Sequence, residues 1–441
     1  MVVGALIGRA LRRVSNLVVA GLALAATPPL LGAHAYAATP LDRIARAYVR
    51  VTLEAGEREP EYVDAYYGPA AWASAAKASP RSVEQLAADA HRLRLATERV
   101  LVRAPLERQR RAFLLGQLKA AETRLAMHTG KHLAFEDEAD GLFGVRPKLA
   151  PLASYDAALA EVARLLPGDG PLWQRLDVYR SRFVIPPERL DAVMRAAIAE
   201  CRRRTLAHIP LPANEKFTLE LVTSKPWGGY NYYKGNSTSL IQVNTDLPVY
   251  VDRAVDLGCH EGYPGHHVYN LLLEKNLARG RGWVEFTIYP LYSPQSFIAE
   301  GSANYGIELA FPGSERAAFE TKTLFPLAGI DPAEAPRFAA LSEALRKLSG
   351  ARFTIARDYL DGRIDRATAA ALSQQYELAS PPRAQKTLDF DDHYRSYVIN
   401  YGLGRDMVGA AVEAVGTDQA ARWRKMRRIL SQPTTPSDLR H

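Results

Sequence analysis

The stretch GCHEGYPGHHVYN, residues 258–270, sets a histidine and a glutamate side by side and a histidine pair just beyond a proline–glycine step. Imidazole nitrogen together with carboxylate oxygen is a donor set that zinc prefers, and a catalytic zinc keeps three protein ligands and an open position for water. In an unbroken H-E-x-x-H helix the two histidines stand four apart on one face, and the glutamate is placed to take a proton from the water on the metal. Here the step from His260 is six to His266 and seven to His267. At roughly 100° per residue, seven steps return to the face of His260 on a straight helix and six do not. But Pro264 removes a backbone donor and pushes Tyr263 out of the α region, while Gly265 tolerates unusual dihedrals. A two-residue bulge at Pro264-Gly265 moves His266 into the place of the usual second histidine. His266 is therefore favoured over His267 as a ligand, and the remaining histidine is expected beside the ligands or facing substrate.

A third ligand is expected from a following helix. SPQSFIAEGSANYGIELAF, residues 293–311, supplies Glu300 among Phe297, Ile298, Ala299 and Ala303, where a mere surface charge is poorly placed. The 34 residues from His266 to Glu300 leave room for a helix, a loop and a second helix packed antiparallel. With His260, His266 and Glu300 holding Zn2+, the expected chemistry is hydrolysis of an amide. The metal lowers the pKa of its water to about 7 and polarises the carbonyl. Glu261 is the expected general base, later delivering the proton to the leaving nitrogen. Tyr305, Tyr401 and Arg405 are candidate donors to the developing oxyanion.

The motif HEGYPGHH followed by AEGSANY resembles a bacterial family of exported, poorly characterised proteins that carry H-E-x-x-P-G-H-H and are presumed to be zinc metallopeptidases. GNSTSLIQVNTDLP, YVDAYYGP at 62–69 and Tyr401-Gly402-Leu403-Gly404 are similar to further segments of that family, so the likeness spans most of the chain. It departs at Ser302, where the family often has tryptophan, and at Glu308, eight rather than seven past Glu300. The resemblance implies a mainly α fold, the helical two-lobed cleft of the gluzincin-like zinc peptidases. The substrate is expected to be a peptide. The alternatives are a hydrolase of some non-peptide small amide, or a non-catalytic exported binding protein retaining the fold; a base beside the metal argues against the last.

The elements that must position these groups are mostly amphipathic helices. Ser82-x-x-Gln85 is a capping-box pattern opening a helix over 82–102. Leu190, Val193, Met194, Ala197, Ile198 and Cys201 recur at helical spacing over 187–204, and similar periods run through 107–127, 332–349 and 365–378. The interval 209–250 breaks the period: FTLELV and SLIQVN read as short strands of a small sheet or hairpin just before the metal-site helix. SLIQVN is a candidate cleft edge for pairing with an extended peptide, and the tyrosines of GGYNYYKG read as a glycine-flanked rim loop. The coarse division is a signal segment 1–37, an N-terminal helical lobe 38–208 and a catalytic region 209–441.

Composition excludes several classes. The 441 residues are 47% hydrophobic and 24% charged, the balance of an ordinary globular chain. Arg9, Arg12 and Arg13, the apolar run from Leu17 to Leu31 and the small residues Ala35-Tyr36-Ala37 read as a signal peptide cleaved after Ala37, hence export to the periplasm or medium. Its removal takes away three arginines and no acids and leaves a net charge of +5, too mild and too dispersed for a nucleic-acid surface. No later segment approaches the roughly 18 apolar residues of a membrane span. Cys201 reads as a buried thiol, with a Cys201–Cys259 disulfide compatible with an oxidising compartment. His128 and His132 read as loop residues, and His393 is an isolated candidate. There is no G-x-S-x-G and no di-iron E-x-x-H pair.

Overall fold

Ser82 and Gln85 do what their spacing predicts: Gln85 N donates to Ser82 Oγ and Ser82 N to Gln85 Oε1, at 3.2 and 3.0 Å, which fixes the first turn of a helix. The computed structural model describes residues 38–225 and 228–440, so the expected signal segment lies outside the described residues. The chain is mainly helical, with two small sheets. The elements that frame the site, in chain order, begin with helix α1 (Pro40–Arg58), strand β1 (Val63–Tyr66) and helices α2 (Val83–Glu98), α3 (Pro105–His128) and α4 (Pro187–Leu206). Strands β2 (Lys216–Val222), β3 (Gly229–Tyr233) and β4 (Thr238–Asn244) follow, then helices α5 (Val251–Leu257) and α6 (His266–Leu273). Strand β5 (Ile288–Pro290) and helices α7 (Pro294–Ala310), α8 (Pro381–Tyr394), α9 (Ile399–Glu413) and α10 (Gln419–Ser431) complete the frame. No helix among the described residues is long and apolar enough to cross a membrane.

The apolar stripe of α4 is buried along its length, from Leu190 to Cys201. It belongs to a core that also takes Val51 of α1, Leu86 of α2, Phe113 of α3, Leu271 of α6, Phe297 of α7, Val408 of α9 and Met426 of α10. The described residues from Thr39 onward form one compact unit around it. Cys201 is not a free thiol. It is bonded to Cys259, which ties the middle of α4 to the turn that carries His260. Closing a loop of 58 residues removes about 4 kcal/mol of chain entropy from the unfolded state.

Both predicted strands form, but the sheet has a third that sequence reading treated as a loop. Its order is β2-β4-β3, with β2 parallel and β3 antiparallel to β4. The run 229–233 is extended because Asn231 and Tyr233 turn inward and are buried, an alternation that glycine at 228 and 229 masks in the sequence. This placement corrects two expectations. SLIQVN is the central strand, hydrogen-bonded on both sides, so it offers no free edge. The strand beside the cavity is β3, whose second edge is unpaired among the described residues. In the other sheet, β1 pairs antiparallel with β5 and the register breaks between Val63 and Ala65, at Asp64.

Candidate metal centre

The helix holding His260 does break, though by a different route from a simple bulge. Helix α5 widens into a π turn over Gly258–Gly262, which presents His260 and Glu261. The chain turns extended at Tyr263 and re-enters a helix at His266. Gly265 makes that reversal possible. Its N–H donates to Cys259 O at 3.0 Å, and a Cβ there would stand 1.8 Å from the His260 carbonyl oxygen. Two separate helical pieces therefore deliver the two histidines, and the doubling-back brings His260 Nε2 within 3.1 Å of His266 Nε2.

Glu300 arrives from α7, whose first turn is capped by Ser293 accepting from Ser296 N at 3.2 Å. Its Oε2 stands 3.2 Å from His260 Nε2 and its Oε1 3.6 Å from His266 Nε2. Helix α9 crosses directly over this point because both chains are bare there: a Cβ on Gly301 would lie 2.5 Å from the Gly404 carbonyl carbon. The close crossing lays Tyr397 and Tyr401 over the carboxylate, and Tyr397 Oη donates to Glu300 Oε1 at 2.8 Å.

The donor set fits a small divalent cation. At metal–ligand distances of about 2.0–2.2 Å, tetrahedral zinc ligands stand roughly 3.3–3.6 Å from one another. His260 Nε2 stands 3.1 Å from His266 Nε2 and 3.2 Å from Glu300 Oε2, close to that size, while His266 Nε2 is 3.6 Å from the other carboxylate oxygen; one ligand atom from each residue lies within 4.8 Å of the others. Glu300 Oε2 is buried and accepts no hydrogen bond from a described residue. Asn304, one turn beyond Glu300, sets the histidine tautomer. Its Nδ2 donates to the carbonyls of Glu300 and Tyr401, at 3.1 and 3.2 Å, so its Oδ1 faces His260 Nδ1 at 3.2 Å as an acceptor. His260 then carries its proton on Nδ1, and the Nε2 lone pair points to the centre. Burial alone raises the Glu300 carboxyl, but His266 and His260 outweigh it and hold the group well below the ordinary carboxylate range. Burial likewise lowers His266, and the Glu300 carboxylate, with Glu261 and Asp64, brings it up to about 9.

His267 goes the other way. Fully buried, it faces neither the ligands nor an open cavity: Nδ1 meets Ser239 Oγ at 2.8 Å and Nε2 meets Glu215 Oε1 at 3.1 Å. Tyr263 donates to the same Glu215 oxygen, and Arg202 reaches the other at 2.9 Å. This network pins the start of α6 to the sheet. Burial raises the Glu215 carboxyl, yet its bonds to His267, Tyr263 and Arg202 lower it to about 2. A carboxylate lowered on folding contributes stability that is present above its ordinary value of 4.5 and is lost as pH falls toward about 2. Glu215→Gln is expected to lose roughly 1.5–3 kcal/mol at pH 7, the worth of a hydrogen bond to a charged group, and to flatten the acid limb of stability below pH 4.5. Urea unfolding across pH 2.5–7 checks it; an unchanged acid slope would remove Glu215 from this role.

The cluster opens on a cavity of about 840 Å³. Glu261, Tyr401 and Arg405 line it with His260, His266 and Glu300. Glu261 is 6% exposed, and its backbone carbonyl accepts from Asn231 Nδ2 at 2.5 Å. Arg405 pairs with Asp406 at 2.6 Å and approaches Glu308 at 3.8 Å. Tyr305 is not brought to the cavity. Its ring lies beneath Gly409 and its hydroxyl meets Glu413 Oε1 at 3.4 Å, because it stands on the face of α7 turned into the packing with α9. His393 sits outside the lining and meets Glu61 Oε2 at 3.2 Å. Sequence reading missed Asp64, Asn231, Asn304 and Tyr397. Only Asn304 carried a signal, its position one helical turn from Glu300; the others reach the site through tertiary contacts.

No family model matches the chain, and no curated protein matches it. Among solved structures it is similar to one named "The crystal structure of the putative lipoprotein from Colwellia psychrerythraea". The identity is 16% and the TM-score 0.47, over 91% of this chain and 74% of that one.

Proposed function

We propose that this chain is an exported, zinc-dependent hydrolase of peptide bonds. The observation that carries the reading is that His260, His266 and Glu300 converge, with ligand atoms within 4.8 Å of one another, in the wall of a cavity that Glu261 also lines. A divalent zinc bound there would supply Lewis acidity, activating water and polarising the scissile carbonyl. The chain's own residues do the rest. Glu261 takes the proton from the attacking water at its carboxylate and hands it to the leaving amide nitrogen. Tyr401 and Arg405 are the donors available in the lining to a developing oxyanion. The position of β3 as an edge strand among the described residues, with Gly228 to Tyr232 in the lining, supports an extended peptide rather than a compact amide as substrate. A Cys201–Cys259 bridge supports an oxidising, exported setting.

Elemental analysis of the purified mature protein tests the reading. About one zinc per chain is expected, lost in His266→Ala and kept in His267→Ala. Retention of zinc by His266→Ala, or no zinc after dialysis against the metal, would sink the assignment. A peptide-library screen of the zinc-loaded protein then reads the reaction itself.

A further inference from the structure

One end of the cavity carries a carboxylate, Asp64, with no ion-pair partner within 4 Å among the described residues. The lining arginines each have a carboxylate: Arg316 and Arg253 reach Asp256 at 2.8 and 3.4 Å, Arg346 reaches Glu343 at 2.8 Å, and Arg405 reaches Asp406 at 2.6 Å. Asp64 has no arginine or lysine partner of this kind among the described residues; its Oδ1 accepts from a phenol, Tyr230 Oη. The register break in β1 falls at this residue, and a bulge of this kind re-aims a side chain. Asp64 lines the cavity as a result.

What surrounds Asp64 suits a cation. Glu61 lines the same end and accepts from Tyr394 Oη at 3.3 Å. The Tyr230 and Tyr232 rings lie tilted with centroids 4.2 Å apart, and Phe390 lies 4.6 Å from Tyr394, ring centre to ring centre. Such rings attract a cation over their faces. A second, independent sign comes from β3. Asn231 is 7% exposed and lines the cavity, its Nδ2 is committed to the Glu261 carbonyl, and its buried Oδ1 has no donor among the described residues. A carboxylate with no ion-pair partner within 4 Å among the described residues, aromatic rings around it and an unpartnered acceptor elsewhere in the cavity wall suit a ligand group that is both cationic and rich in N–H.

We propose that the Asp64 end of the cavity, with Glu61 and the Tyr230, Tyr232, Tyr394 and Phe390 rings, is a subsite for an ammonium group of the substrate. The ammonium comes either from a free peptide N-terminus or from a basic side chain, since both present the same –NH3+ to the carboxylate. This deepens the peptidase reading and rests on it for the word substrate, but the binding itself requires no turnover.

Calorimetry on the full mature chain carrying Glu261→Gln tests it with three probes: Leu-Ala-amide with a free amine, N-acetyl-Lys-Ala-amide and N-acetyl-Leu-Ala-amide. At least one ammonium probe is expected to bind about tenfold tighter than the neutral one, as a charge-assisted hydrogen bond warrants. Preference for the first assigns the N-terminus, and for the second the side chain. Asp64→Asn is expected to erase the advantage. Glu61→Gln, at an exposed position, is expected to reduce it and keeps the test open if Asp64→Asn does not fold. Equal affinity for all three probes, no binding of any at millimolar concentration, or an advantage untouched by both substitutions would overturn the subsite. Zinc content and turnover of the unsubstituted protein, measured alongside, report separately on the hydrolase reading.

Discussion

Glu261→Gln is expected to keep one zinc per chain and to lower kcat by about 10²–10⁴-fold, the usual contribution of a positioned general base. The substitution preserves volume and hydrogen-bonding capacity while removing the basic oxygen. Its backbone anchor, Asn231 Nδ2 to the residue's own carbonyl, is untouched. The space around the side chain is also preserved: Gly229 has no Cβ where one would lie 3.3 Å from Glu261 Oε1. Folding and metal content should therefore match the unsubstituted protein, and the loss should appear in kcat rather than in KM. Steady-state kinetics on a peptide found in the library screen, with zinc measured on the same samples, decide it. A kcat within threefold of the unsubstituted enzyme would mean that another group carries the proton.

Gly265→Ala is expected to weaken zinc binding by roughly 10–100-fold, the range found when the support of a ligand rather than the ligand is changed. The added methyl has nowhere to go. It would stand 1.8 Å from the His260 carbonyl oxygen and 2.5 Å from that of Cys259. Relief requires the backbone at 259–265 to open, and that segment sets the 3.1 Å approach of His260 to His266. The disulfide at Cys259 holds one side of the turn to α4, and the His267–Glu215–Ser239 network holds the other to the sheet. Neither anchor can follow freely. A competitive zinc titration against a chromophoric chelator measures the change, with circular dichroism to verify helix content. Affinity equal to that of the unsubstituted protein would show that the close approach is not what sets the ligand spacing.

Under the proposed reaction, other steps are expected to be less sensitive to single residues: Tyr401 and Arg405 both line the cavity, and each is a candidate donor to an oxyanion. Tyr305, which the sequence placed with them, is held by Glu413 on the far side of α7.

The sequence by itself determined the helices, because their apolar stripes repeat at a period that local geometry imposes, as along α4 from Leu190 to Cys201. It also determined the strands at FTLELV and SLIQVN, and it named His260, Glu261, His266 and Glu300 from residue type and spacing. Spacing alone could not separate His266 from His267. On a straight helix the seventh position wins, and the reversal at Tyr263-Pro264-Gly265 depends on a backbone approach between residues five and six apart. Tertiary structure alone decided the rest. Strand order made SLIQVN central and left β2 and β3 at the edges among the described residues, because pairing partners lie outside the local window. The crossing at Gly301 and Gly404 brought Tyr397 onto Glu300 from 97 residues away, and a register break turned Asp64 into the cavity. Those positions follow from how helices and strands pack against one another, a property that no single segment of the chain contains.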